Sequence, residues 1–258
     1  MQALVTNVDG AESWGLQLLA DVARDVGLTV TAVGPTWNAS GSSAALGAVS
    51  HAGQVQVQHA AADGDDPEPR LAVEATPAFI VRAALHGAIG LQPEVVLVGI
   101  HEGRNTGQAA LHSGTLGAAL TGALAGCPSL AISADFGTAD EVAGHVARLA
   151  ISWLLELGYP CALNVNIPNR DLSELGAATP TKLGLGGSIQ AMVTEREGGF
   201  MPVTFRDSTD NNDPETDDGA LDRGYVSVTA LQPPTEHPGV DLAELLGRGA
   251  EARQPLPD

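Results

Sequence analysis

Several polar clusters in the first 115 residues carry side chains that bind or cleave charged groups. The first is Asp9, in the turn Asn7-Val8-Asp9-Gly10 that ends the apolar run Ala3–Thr6. A carboxylate there can hold a cation, act as nucleophile or base, or cap the next helix. The second is His101-Glu102-Gly103-Arg104-Asn105-Thr106-Gly107, which offers an imidazole, a guanidinium and an amide. The third is Ser113-Gly114-Thr115, whose hydroxyls and helix-starting position suit an anion, because a helix N-terminus presents unpaired N–H groups. The fourth is the small, polar loop Asn38–Ser43. No GxGxxG follows the first apolar run, which argues against a dinucleotide site.

These clusters need elements that bring them together. Ala3–Thr6 reads as a buried parallel strand and Glu12–Val26 as a helix with Leu18, Leu19, Val22 and Val26 on one face. Thr29–Val33 is a second strand, and Gln54–Gln58 alternates as a strand with one wet face. Thr76-Pro77 starts a helix to about Ala88, with Thr as N-cap and Pro at the first helical position. Glu94–Ile100 is β-branched on both faces, the mark of a central parallel strand. A helix from His112–Thr115 to Gly126, a strand at Ser129–Ser133, a helix over 139–157 and a strand at Ala162–Ile167 complete the alternation. In the 139–157 helix, Val142, Val146, Leu149 and Trp153 are expected to share a side.

The pattern predicts an α/β fold, a doubly wound, Rossmann-like and mostly parallel sheet over residues 1–168. Residues 169–258 read as a β-rich, antiparallel C-terminal elaboration and tail, with the strand Tyr225–Leu231 and a short helix around Leu242–Leu246. In such sheets ligands bind outside the carboxyl ends of the strands, where the four clusters should converge.

Bulk properties narrow the partners. The net charge of −19 opposes a nucleic-acid polymer or an anionic membrane, yet leaves room for a small phosphate ester held by local groups. The acidic tracts Asp63–Glu68 and Asp207–Asp222 read as solvated loops. No basic segment precedes the first strand and no run reaches the ~18 apolar residues that span a bilayer, so a cytoplasmic protein is expected. Cys127 and Cys161, the only cysteines, fit a reducing compartment.

Taken together the motifs resemble the SurE survival-protein family of metal-dependent nucleotide phosphatases. Thr6–Gly10 (TNVDG) is similar to the family's TNDDG, and Asn38–Gly41 to its N-x-S-G loop. Ala75–Phe79 resembles G-T-P-A-D, and Val98–Asn105 resembles S-G-I-N-x-G-x-N. His112–Ala119 resembles Y-S-G-T-V-G-A-A, and Pro128–Ser133, Leu163–Pro168, Thr216-Asp217 and Gly224–Leu231 match later landmarks. The likeness covers about residues 1–232.

The resemblance implies a phosphohydrolase of the 5′/3′-nucleotidase or acid phosphatase kind, acting on a nucleoside monophosphate or related phosphomonoester. It implies a divalent cation on Asp9, Ser40 and His101, and a phosphate pocket of Asn105, Ser113, Gly114 and Thr115. Asp9 and His101 would act in catalysis, with Arg104 assisting as a fixed cation. The metal motif differs: Val8 replaces the first Asp and His101 the Asn, a change that favours Mn, Co, Ni or Zn over Mg. Two alternatives stay open, a phosphate-binding protein or pseudoenzyme without the cation, and an enzyme that uses His101 without metal. The resemblance also implies a homodimer or homotetramer formed through the C-terminal half.

Overall fold

The computed structural model describes residues 1–60, 70–90, 92–193, 203–208 and 213–234. The tract Asp63–Glu68, residues 209–212 of the second acidic tract and the expected helix at Leu242–Leu246 lie outside them.

β1 (Gln2–Thr6) is buried from Ala3 to Thr6, as a continuous apolar run with both faces covered requires. Ser13 caps α1 (Trp14–Asp25), its hydroxyl accepting from the Leu16 N–H, and β2 (Thr29–Pro35) follows. β3 (Ser50–His51) and β4 (Gln54–Val55) make a small hairpin, while β5 (Val57–His59) pairs antiparallel with β6 (Leu71–Val73). α2 (Pro77–Leu85) leads to β7 (Val95–Glu102), then a 3-10 turn at Gln108–His112 and α3 (Gly114–Leu124). β8 (Ser129–Ala134), α4 (Asp140–Leu157) and β9 (Ala162–Ile167) come next. β10 (Gly176–Pro180), β11 (Gly187–Val193), β12 (Val203–Ser208), α5 (Asp217–Asp222) and β13 (Tyr225–Leu231) complete the described elements.

Nine strands form one sheet in the order β10-β13-β9-β8-β7-β1-β2-β6-β5. β6, β2, β1, β7, β8 and β9 pair in parallel; β5 and β13 join antiparallel at either side, and β10 runs parallel to β13. The fold is therefore α/β and mostly parallel, with antiparallel additions. Residues after 168 contribute two strands to this same sheet and the separate hairpin β11–β12.

The core has two layers. Leu16, Leu19, Val146, Ile151 and Leu154 bring α1 and α4 onto one face, and Ile80, Val81, Leu116 and Ala119 bring α2 and α3 onto the other. The chain leaves β1 through α1 to reach β2 on one side, and returns through α2 to β7 on the other. The strand order thus reverses between β1 and β7, and a crevice opens at such a switch point.

Three expectations are corrected. The tract Asp207–Asp222 is not a solvated loop throughout: its end forms α5, which buries Asp217 and Asp218. Gln54–Gln58 is not one strand: it breaks at Gln56, and its halves pair with different partners, β3 and β6. Leu149 is exposed, because at 3.6 residues per turn the inward stripe of α4 is carried by Val142, Val146, Ala150 and Leu154 with Ala143, Ala147 and Ile151.

Candidate functional site at the sheet switch point

Asp9 and His101 reach the crevice from adjacent strands. β1 and β7 are paired with Thr6 opposite Val98, so each side chain stands three residues beyond this pair. The His101 Nδ1 lies 3.1 and 3.2 Å from the two Asp9 carboxylate oxygens, and both side chains are largely shielded. Below Asp9 the turn is fixed by Asn7, whose amide donates to the Gly10 carbonyl and to the Ser13 hydroxyl. The Asn7 Oδ1 is buried without a hydrogen-bond partner.

The loop after β2 closes over this turn. The Ala39 N–H donates to the Val8 carbonyl at 2.7 Å, and the Ser43 N–H and hydroxyl bond the His112 and Leu111 carbonyls. That brings the loop against the start of α3. A Cβ on Gly114 would stand 2.6 Å from the Ser42 Oγ, 2.8 Å from Val8 Cγ1 and 3.2 Å from the Ala39 carbonyl, so only glycine fits there. Ser113 caps α3 by accepting the Leu116 N–H at 3.1 Å. By the geometry of a helix start, the Gly114 and Thr115 N–H groups have no acceptor within the helix. The Thr115 and Ser42 hydroxyls are buried without a partner in the same neighbourhood. Buried unpaired hydroxyls are costly, and a polar ligand or water commonly answers them.

The other sequence-derived candidates are held by partners of their own. Ser40 is exposed, its N–H held by the Asn38 side chain. Asn105 is locked: its N–H donates to Asn166, its carbonyl accepts from Asn164 and Asn166, and its Nδ2 donates to Ser133. Arg104 is directed elsewhere. It bonds both oxygens of Asp135 at 2.6 and 3.0 Å and reaches Asp222 at 2.7 Å. Burial would push the guanidinium down, but Asp135 and Asp222 outweigh it and hold Arg104 above its usual range. The reading of Arg104 as a cation assisting the phosphate gives way to that of an ion-paired strut.

Behind this strut, α5 supports the loop after β7. The fully buried Asp217 accepts from the Gly107, Gly184 and Asp218 N–H groups. Burial pushes the neighbouring Asp218 carboxyl up, against the pull of the Thr106 hydroxyl and Arg104. From the sequence, Ser42 and Asn7 were only members of their loops and Asp217 only part of the Thr216-Asp217 landmark, with no role of their own. Asn164 and Asn166 could have been singled out, since alternate polar residues in an apolar strand share one face.

The chain has counterparts among known proteins. The profile of the family described as Survival protein SurE matches residues 3–187. The chain belongs to the SurE family. A relative named 5'-nucleotidase SurE from Geobacter sulfurreducens is 34% identical, with 90% of this chain and 87% of that protein covered. One of the same name from Vibrio cholerae is 31% identical over 90% and 91%. The SurE protein from Aquifex aeolicus, known from its crystal structure, superposes with a TM-score of 0.77 at 27% identity, covering 96% of this chain and all of that one. Within the SurE frame, the two motif departures sit in the centre of the site: Val8 packs, 1% exposed, where α3 begins, and His101 meets Asp9.

Proposed function

We propose that this SurE-family chain is a phosphomonoesterase that hydrolyses a nucleoside monophosphate or a closely related small ester. The observation behind it is the juxtaposition, at one sheet edge, of the Asp9–His101 pair with an α3 N-terminus flanked by the unpaired Ser42 and Thr115 hydroxyls. The relatives named 5'-nucleotidase support the same reaction class. In this reading the Gly114 and Thr115 N–H groups and the neighbouring hydroxyls seat the phosphoryl oxygens, and their fixed dipoles match the charge that shifts in phosphoryl transfer.

The donor set suits a divalent cation. The Asp9 carboxylate and the His101 Nδ1 are a hydrogen bond apart in this structure, and two octahedral ligands each about 2.1 Å from one ion would stand about 3 Å apart, so the pair could take a cation in place of the shared proton. These two side chains would hold it, and the Ser40 hydroxyl, on the loop after β2, and solvent would complete the shell. Bound there, the cation supplies Lewis-acid charge and acidifies water. One carboxylate and one imidazole favour Mn, Co, Ni or Zn over Mg. Asp9 and His101 also orient each other, which is the support for a reading in which the pair acts without metal.

The test is a phosphate-release screen over nucleoside monophosphates, with elemental analysis of the purified chain and chelator treatment. The expected result is release that the chelator removes and Mn or Zn restores. Release that survives full chelation would favour the metal-free pair, and binding without release would favour the phosphate-binding alternative. His101→Ala should abolish metal uptake, which elemental analysis reads independently of turnover.

A further inference from the structure

A cavity of about 620 Å³ borders Asp9, and Ser113, Gly114 and Thr115 of the α3 cradle are not among its lining residues. Its walls come from the turn Asp9–Ser13, Pro35 at the end of β2 with Thr36–Asn38 after it, and Gln58 and His59 of β5. Consecutive residues of one turn therefore serve different compartments. Val8 packs toward Gly114, while Asp9 faces His101 and borders the cavity. An ester whose phosphoryl group sits at the cradle would project its organic half past Asp9 into this space.

The lining defines what would fit. Trp37 offers a large indole that is 37% exposed and is the aromatic side chain of the lining. Asn38 and Gln58 add amides, and Asp9 and Glu12 add carboxylates that accept N–H or O–H donors. Among the described residues the lining contains no lysine or arginine; His59 is its imidazole, and Arg70, which donates to the Ala11 carbonyl, lies outside the lining. The space thus matches a flat, hydrogen-bonding group, and two carboxylates against one imidazole disfavour a second phosphate. Its volume is within the ~300–1,000 Å³ typical of small-molecule sites.

We propose that this cavity seats the nucleoside half of the substrate, with the base stacked on Trp37, and that it selects monophosphates over bisphosphates. The phosphoryl end of this assignment rests on the hydrolase reading above. Trp37 is the specificity-determining residue, since base stacking on one aromatic side chain is worth roughly five- to 150-fold in affinity.

The test separates the two assignments. Adenosine, which carries no phosphate, is titrated calorimetrically against the wild type, Trp37→Ala and Trp37→Phe. Hydrolysis of adenosine monophosphate, ribose 5-phosphate and adenosine 3′,5′-bisphosphate is measured in parallel. Adenosine is expected to bind the wild type, to bind Trp37→Ala about tenfold or more weakly, and to bind Trp37→Phe nearly as well as the wild type. The ratio of kcat/KM for adenosine monophosphate over ribose 5-phosphate should fall about tenfold in Trp37→Ala through KM, and the bisphosphate should be the poorer nucleotide. Adenosine binding that depends on Trp37, without hydrolysis of any ester, would uphold the cavity and sink the hydrolase reading. Hydrolysis with no adenosine binding, an unchanged ratio in Trp37→Ala, or an equally good bisphosphate would overturn the cavity assignment alone.

Discussion

Val8 and His101 are where this chain parts from the TNDDG and S-G-I-N pattern, and both contribute side chains within contact distance of the site. A buried carboxylate at position 8 without a cation would be expensive, and with one it would become a ligand. Val8→Asp combined with His101→Asn should therefore lower stability in metal-free buffer and recover it on adding Mg. A thermal melt with and without Mg reads this directly, and a double variant insensitive to Mg would discredit the cation reading of Asp9. Thr115 gives a two-sided prediction. Thr115→Val removes a buried hydroxyl that lacks a partner, so the free protein should gain about 1 kcal/mol. The same change should weaken binding of a phosphorylated ligand by about 1 kcal/mol or more, since the hydroxyl is then missed. Unaltered affinity in calorimetry would remove Thr115 from the cradle.

Among the elements, α1 and β7 approach so closely that Gly15 leaves no room for a methyl group. A Cβ there would stand 1.8 Å from the Ile100 carbonyl oxygen, one residue before His101. Gly15→Ala must push the helix off the strand, and a cost of roughly 3 kcal/mol is expected. The melting temperature should fall by about 2–4 °C per kcal/mol, and the Asp9–His101 pairing should loosen with it. A variant that melts like the wild type would refute this packing. α5 acts just beyond the same end of that strand. Asp217 gathers N–H groups from the loop after β7, from residue 184 and from its own helix. Asp217→Ala leaves them unpaired and should cost about 3 kcal/mol or more, read by denaturant unfolding.

At the scale of the molecule, the acidity of the chain includes one group that works against folding. Burial raises the Asp218 carboxyl in the folded state. The folded protein therefore holds this proton more tightly than the unfolded chain. The associated stability is full below the ordinary carboxylate range and is lost as pH rises through the raised value. Asp218→Asn should accordingly gain more on the wild type at pH 7 than at pH 4 in paired thermal melts, and an equal difference at both would contradict the shift. We also propose that the chain assembles as a homodimer or homotetramer through residues after 168, where the apolar strand β13 ends the parallel run. A monomeric mass by light scattering at micromolar concentration would dismiss that assembly.

The elements were legible from local pattern. Continuous β-branched runs such as Glu94–Ile100 have no stable place but a strand covered on both faces, and Thr76-Pro77 or Ser113-Gly114 mark helix starts through backbone chemistry that is local. The general location of the site was legible too, because an α/β alternation sends every loop after a strand to one sheet edge. Long-range geometry decided the rest. Arg104 looked like a cation for phosphate until Asp135 and Asp222, 31 and 118 residues away, were seen to hold it. The split of Gln54–Gln58 between two partners, the support given by Asp217 and the orphaned Ser42 hydroxyl follow from contacts between distant segments, which no local period encodes. What residue types a loop carries is a property of sequence; which of them stay unpaired for a ligand is decided only when the folded chain has satisfied the others.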